Sequence, residues 1–133
     1  MGSASPNEIS ERSIVGLLNQ LLITAEVSST ETMLRARFDF EGTKFALDAA
    51  LDDTNFIMLS AWWKLQDDVF GSEVLPRCNR FSNALRFAKF YWAAKDNSIL
   101  ISVEFIATGI VELGTVLKPY LGAINHAAKA VTA

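Results

Sequence analysis

Thr32-Met-Leu-Arg-Ala-Arg-Phe-Asp-Phe-Glu-Gly-Thr-Lys-Phe-Ala-Leu-Asp48 is the stretch on which the fold turns. Leu34, Ala36, Phe38 and Phe40 alternate with Met33, Arg35, Arg37 and Asp39, the period of two that a strand with one buried face requires. Glu41-Gly42 is a two-residue turn candidate. Folding the chain there sets Phe38 opposite Phe45, Ala36 opposite Leu47, Asp39 opposite Lys44 and Arg35 opposite Asp48. One register therefore satisfies apolar and charged partners together, and a slip of one residue loses all four matches.

Working outward toward the N-terminus, Met1–Ala4 is small and polar and reads as a disordered start or a cloning scar, leaving 5–133 as one domain. Ser5-Pro6-Asn7-Glu8 offers a capping hydroxyl, a proline at the first helical position and a glutamate three residues after the serine, so a helix is expected to start here. Ile14, Leu17, Leu18, Leu21, Leu22 and Ala25 follow at helical spacing.

Toward the C-terminus, Asp52-Asp53-Thr54-Asn55 is a turn cluster. The next run, Phe56 to Leu65, is apolar on both alternating sets, as in a strand covered on two sides. Gln66–Gly71 reads as a loop and Ser72 as the cap of a second helix, irregular near Pro76, with Val74, Cys78, Phe81 and Leu85 on one stripe. Arg86–Lys95 and Ser98–Ile106 form a second hairpin about Asp96-Asn97, in a register that sets Lys89 against Glu104. Its core face is Ala88, Phe90, Trp92 and Ala94 with Ile99, Ile101, Val103 and Phe105. A last stripe of Leu113, Val116, Leu117, Tyr120, Leu121, Ile124, Ala128 and Val131 predicts a long helix, broken or kinked near Pro119. The expected fold is α+β, in the order α-β-β-β-α-β-β-α, with helices packed on a twisted antiparallel sheet.

Half of the 133 residues are hydrophobic and a fifth are charged, a balance that excludes intrinsic disorder. The formal charge of −3 argues against a binder of the nucleic-acid backbone. No apolar run reaches spanning length and no signal peptide is evident, so a cytoplasmic protein with no membrane partner is expected. A single cysteine, Cys78, and a single histidine, His126, cannot form an intrachain disulfide or a soft metal site.

Catalytic chemistry is sparse. His126 falls two residues past Ile124, off the apolar stripe, as a surface histidine does; Cys78 falls on an apolar stripe, as a buried inert thiol does. Asp52-Asp53 and Asp67-Asp68 sit in turn contexts, where aspartate bonds to nearby backbone. No phosphate loop, nucleophile elbow or zinc-binding histidine pair occurs, so no catalytic residue, metal site or cofactor is expected. Arg77, Arg80, Arg86 and Lys89 form a basic concentration, read either as a solvated face or as an anionic recognition patch. Consecutive strand residues point to opposite faces, so Trp62 and Trp63 cannot both enter one core. With a mean hydropathy of +0.23, this suggests a face that closes on a second copy or on another polypeptide.

The stretch Asn79-Arg-Phe-Ser-Asn-Ala-Leu-Arg-Phe-Ala-Lys-Phe-Tyr91 resembles the signature of the YbjN-like family, named as bacterial sensory transduction regulators. Asn79, Arg86, Phe87, Lys89 and Tyr91 match the family pattern in order and spacing, while Phe81 stands where a tryptophan is usual and Ser82 where a second asparagine is usual. The likeness extends over roughly 74–131 and is only topological before it. It implies the type III secretion chaperone-like fold, whose members are typically small acidic homodimers that bind polypeptides, and it carries no catalytic role to transfer. The expected function is a non-enzymatic chaperone-like or adaptor protein, a homodimer using Trp62, Trp63, Arg77, Arg80 and Tyr91 against a protein or peptide. The alternative is a sensor or enzyme holding a small apolar ligand between sheet and helices.

Overall fold

Strand alternation organises the whole chain. The computed structural model describes residues 7–52, 54–65, 76 and 88–132, with side chains as far as residue 130. Its strands are β1 (Ala25–Ser29), β2 (Met33–Phe40), β3 (Thr43–Ala50), β4 (Phe56–Lys64), β5 (Ala88–Ala93) and β6 (Ser98–Ile106), and its helices are α1 (Glu11–Gln20) and α2 (Ile110–Thr132). The strands form one sheet in the order β1-β2-β3-β4-β6-β5, and every neighbouring pair is antiparallel. The class is α+β, as the sequence predicts.

The β2–β3 hairpin has the expected register: Phe38 pairs with Phe45, Ala36 with Leu47, Asp39 with Lys44 and Arg35 with Asp48. Glu41 (φ 50°) and Gly42 (φ 86°) both occupy the left-handed region, the requirement of a two-residue turn whose twist matches its strands. The rings of Phe38 and Phe45 stack at 5.6 Å, and Phe40 meets Phe45 edge-on at 6.2 Å. This hairpin propagates one parity through the sheet. Leu34, Ala36 and Phe38 of β2, Phe45, Leu47 and Ala49 of β3, Ile57, Leu59 and Ala61 of β4, and Ile99, Ile101 and Val103 of β6 lie buried on one face. Ile14 and Leu18 of α1 and Leu113, Leu117, Leu121 and Ile124 of α2 join the same cluster, each with no exposed surface. Each such side chain contributes about 1.5–3 kcal/mol of burial.

Several expectations give way. The helix starts not at the Ser5–Glu8 stretch but at Glu11, where Ser10 accepts from the Ser13 amide and the Ser13 hydroxyl accepts from the Ser10 amide. Asn7 caps the other helix instead: its carbonyl accepts from the Ile110 amide at 2.9 Å and its side-chain oxygen from the Val111 amide at 3.0 Å. Gly109 makes this approach feasible, because a Cβ there would lie 2.4 Å from the Asn7 side chain. The apolar stripe stops short as well. Leu22 adopts φ 61° at the end of α1 and is 95% exposed, while Ala25 belongs to β1. That strand is additional to the expected order.

The second hairpin slips by two residues. Ala93 pairs with Ser98 across a four-residue loop, so Lys89 faces Ser102 and not Glu104. An even slip preserves the faces, and Ile99, Ile101 and Val103 are buried as expected, whereas Trp92 is exposed and Ala94 lies in the loop. Pro119 neither breaks nor ends α2, which runs unbroken from Ile110 to Thr132. The expected second helix lies outside the described residues except at Pro76, which is helical and exposed.

Phe45→Ala is expected to cost about 3–5 kcal/mol in urea unfolding, since it empties the centre of the aromatic cluster. Two exposed carboxylates are held below the usual range: Glu112 by the Thr108 hydroxyl and amide, and Asp52 by the Thr54 hydroxyl and amide. Both contribute stability above the unfolded-state value that is lost as pH falls through the lower folded value. Glu112→Gln should therefore flatten the acid limb of a midpoint-against-pH curve; an unchanged limb would contradict this assignment.

Candidate functional site: the outer face of the sheet

Side chains of the opposite parity form a second face, which neither α1 nor α2 covers. The β-ladder places them in rows across the strands. One row runs Asp39, Lys44, Trp62, Leu100, Tyr91. The next runs Glu26, Arg37, Ala46, Ser60, Ser102, Lys89, and a third runs Ser28, Arg35, Asp48, Met58, Glu104. In the first row aromatic and aliphatic groups gather toward β5 and charges toward β2 and β3, while the other two rows end in the charged Lys89 and Glu104.

The two tryptophans divide as strand geometry demands. Trp63 shares the parity of Ile57, Leu59 and Ala61 and packs on the core, where its indole N–H is buried without an acceptor. Such a donor forfeits about 1–3 kcal/mol. Trp62 takes the outer face, half-buried between Lys44 and Leu100. Tyr91 is 50% exposed and Leu100 37% exposed, so the row Trp62–Leu100–Tyr91 is a partly open apolar strip reaching the edge of the sheet. Beside Trp62, on the β1 side, lies an open depression of about 390 Å³ walled by Glu26, Arg37, Asp39 and Lys44.

Beneath the charged end, Arg35 clasps Asp48 through Nε–Oδ1 at 2.6 Å and Nη2–Oδ2 at 3.3 Å. The Asp48 carboxylate is buried and the guanidinium half-exposed. Hydrogen bonding to Asp48 and its charge raise the Arg35 pKa above its ordinary value, and the two-point contact makes the pair a structural clasp. On the core side, the Thr43 hydroxyl donates to Asn125 Oδ1 at 2.6 Å and Asn125 Nδ2 donates to Glu41 Oε2 at 2.7 Å. This buried asparagine, which the sequence does not single out, locks α2 to the β2–β3 turn.

Of the predicted partner-binding residues, the structure brings Trp62 and Tyr91 together on the outer face and sends Trp63 to the core. Lys89 joins the outer face on β5. Arg77, Arg80, Asn79, Phe81, Arg86 and Phe87 lie outside the described residues, as do Cys78, Asp53 and Asp67-Asp68. His126 is exposed, and Asp52 accepts from the Thr54 amide at 3.0 Å, the local bond expected of a turn aspartate. Among the described residues no group of His, Cys, Asp and Glu is placed to hold a metal ion, and no helix is long and apolar enough to cross a membrane.

No protein-family model matches the chain, and no curated protein matches it. A solved structure is similar in fold: the crystal structure of an uncharacterized protein from Methanothermobacter thermautotrophicus aligns with a TM-score of 0.60, covering 92% of this chain and 96% of that one at 11% identity. At that identity the likeness is one of fold.

Trp63→Ala should destabilise by about 3 kcal/mol or more, whereas Trp62→Ala should cost about 1 kcal/mol or less. Trp63→Phe keeps an aromatic ring and removes the unsatisfied donor, so it should cost well under half as much as Trp63→Ala. Urea midpoints of the three variants check this; equal losses for Trp62→Ala and Trp63→Ala would refute the division of faces.

Proposed function

We propose that this chain is a non-enzymatic adaptor or chaperone-like protein, acting as a homodimer, that binds an extended or amphipathic segment of another polypeptide on the outer face of its sheet. The observation that carries this reading is the Trp62–Leu100–Tyr91 strip, which leaves partly open the kind of aromatic surface that anchors protein interfaces. A strip ending at a sheet edge can bury alternate side chains of an extended segment. The charged groups Arg37, Asp39 and Lys44 beside it would fix orientation more than they add affinity.

The YbjN-like resemblance supports the same reading, with its matched residues Lys89 and Tyr91 both on β5. So does the shared α+β class with the chaperone-like fold, although β1 is a strand beyond that expected order. A cytoplasmic setting fits the single cysteine and the mean hydropathy of +0.23 without a spanning helix among the described residues.

The test is affinity capture from the source cell with mass spectrometry, comparing the wild type with Trp62→Ala and Tyr91→Ala. A polypeptide held by the wild type should be lost at least tenfold by both variants while their circular dichroism stays native. Identical captured sets for all three proteins would dismiss the outer face as the binding surface.

A further inference from the structure

The outermost strand at the charged end, β1, has a backbone with open valences. Thr30 N–H donates to the Met33 carbonyl at 2.8 Å, continuing the β1–β2 pairing, and bonded pairs in an antiparallel ladder alternate. Glu26 and Ser28 therefore bond to β2, and the amides and carbonyls of Ala25, Val27 and Ser29 face away from the sheet. Among the described residues no backbone group bonds to them. The strand is short and carries one charge, Glu26, at a position bonded to β2, and it has no lysine, no proline and no bulge to discourage pairing at its outward positions. At the opposite edge, β5, the outward groups are those of Ala88, Phe90 and Trp92, because the Leu65 amide donates to the Asn97 carbonyl and the Ala107 amide to the Asn55 carbonyl, which turns Ser98, Leu100 and Ser102 of β6 toward β5.

Beneath this edge lies unused apolar surface. The Ser29 hydroxyl donates to the Glu11 carboxylate, which turns one flank of α1 toward β1. Val15 is a turn along that flank at 38% exposure, and Leu22, next to β1, is 95% exposed. Leu22 also holds a left-handed backbone, a conformation unfavourable for a residue with a side chain.

Resting on the homodimer reading above, we infer that β1 is the dimer seam: it pairs antiparallel with β1 of a second copy, with Val27 on the two-fold axis. Three registers join outward groups to outward groups near the middle of the strand. Centring on Glu26 opposes two like charges, and centring on Ser28 carries Ala25 past the end of the facing strand. Centring on Val27 pairs Val27 with Val27 and Ala25 with Ser29 of the second copy, satisfying every outward group. It also sets Glu26 opposite Ser28 of the second copy, a carboxylate facing a hydroxyl donor. The two α1 flanks then meet under the seam, and Val15 and Leu22 are covered by their counterparts.

Sedimentation velocity on the wild type, Val27→Pro, Trp92→Pro and Leu22→Asp tests this. The Val27 amide points outward, so a proline there removes a seam donor without taking a bond from the β1–β2 ladder. The wild type should sediment as a dimer at micromolar concentration and Val27→Pro as a monomer with native circular dichroism. Trp92→Pro, which removes an outward amide at the other edge, should remain dimeric. Leu22→Asp, a change at an exposed position that leaves folding intact, should raise the dimer dissociation constant at least tenfold. A monomeric wild type, a dimeric Val27→Pro, an unshifted Leu22→Asp, or loss of the dimer in Trp92→Pro would overturn the seam. Capture through Trp62 is scored in a separate assay, so an unchanged captured set alongside a dimer that Val27→Pro breaks counts against the outer-face reading alone.

Discussion

Phe38 stacked on Phe45 is the contact from which the rest follows, because a strand has only two faces and this pair commits β2 and β3 to one parity. Once those rings are inside, ladder pairing leaves no freedom to β4 or β6: Leu47 faces Leu59, which faces Val103, and all three are fully buried. A one-residue slip in the hairpin would send Phe45 outward and bring Lys44 under α2. The turn enforces the choice, since Glu41 and Gly42 both take the left-handed conformation that a two-residue loop demands.

The same parity rule creates the functional face. The two described helices, α1 and α2, lie on one side of the sheet, so the other side must be covered by polar groups, by other chain segments or by a partner. Near β1 and β2 it is covered by charge, and the buried Asp48 carboxylate is paired with Arg35. Toward β5 the row through Trp62 is aromatic and aliphatic, and Tyr91 remains half-exposed. The gradient from charged to apolar across one row gives the surface a direction, which a featureless apolar patch lacks.

Much of this was legible in the sequence, and the failures share a physical cause. The hairpin register could be read because four pairs of opposite or matching chemistry agree at one offset. The second hairpin could not, because faces repeat every two residues: its core positions survive a slip of two, while the identity of the residue facing Lys89 does not. β1 was hidden by composition, since Ala25 and Val27 are its only apolar residues and Leu21-Leu22 extends the helical pattern toward it. Ser10 was overlooked as a cap because its reciprocal partner is Ser13 and not an acidic or amide side chain. That one of Trp62 and Trp63 must leave the core was evident, but which one was not, because Phe56 and Met58 make the outer set of β4 nearly as apolar as the inner.

The position of α2 in the chain has a bearing on synthesis. Leu113, Leu117, Leu121 and Ile124 close the core over strands made earlier, and Asn125 ties that helix back to Glu41 and Thr43, more than eighty positions upstream. While a ribosome is still translating this segment, the apolar face of the strands lacks the cover that α2 provides in the folded chain. Nascent chains at that stage are prone to clump, so rare codons or pauses within residues 110–132 would lower the yield of native protein more than equal delays placed before the first hairpin.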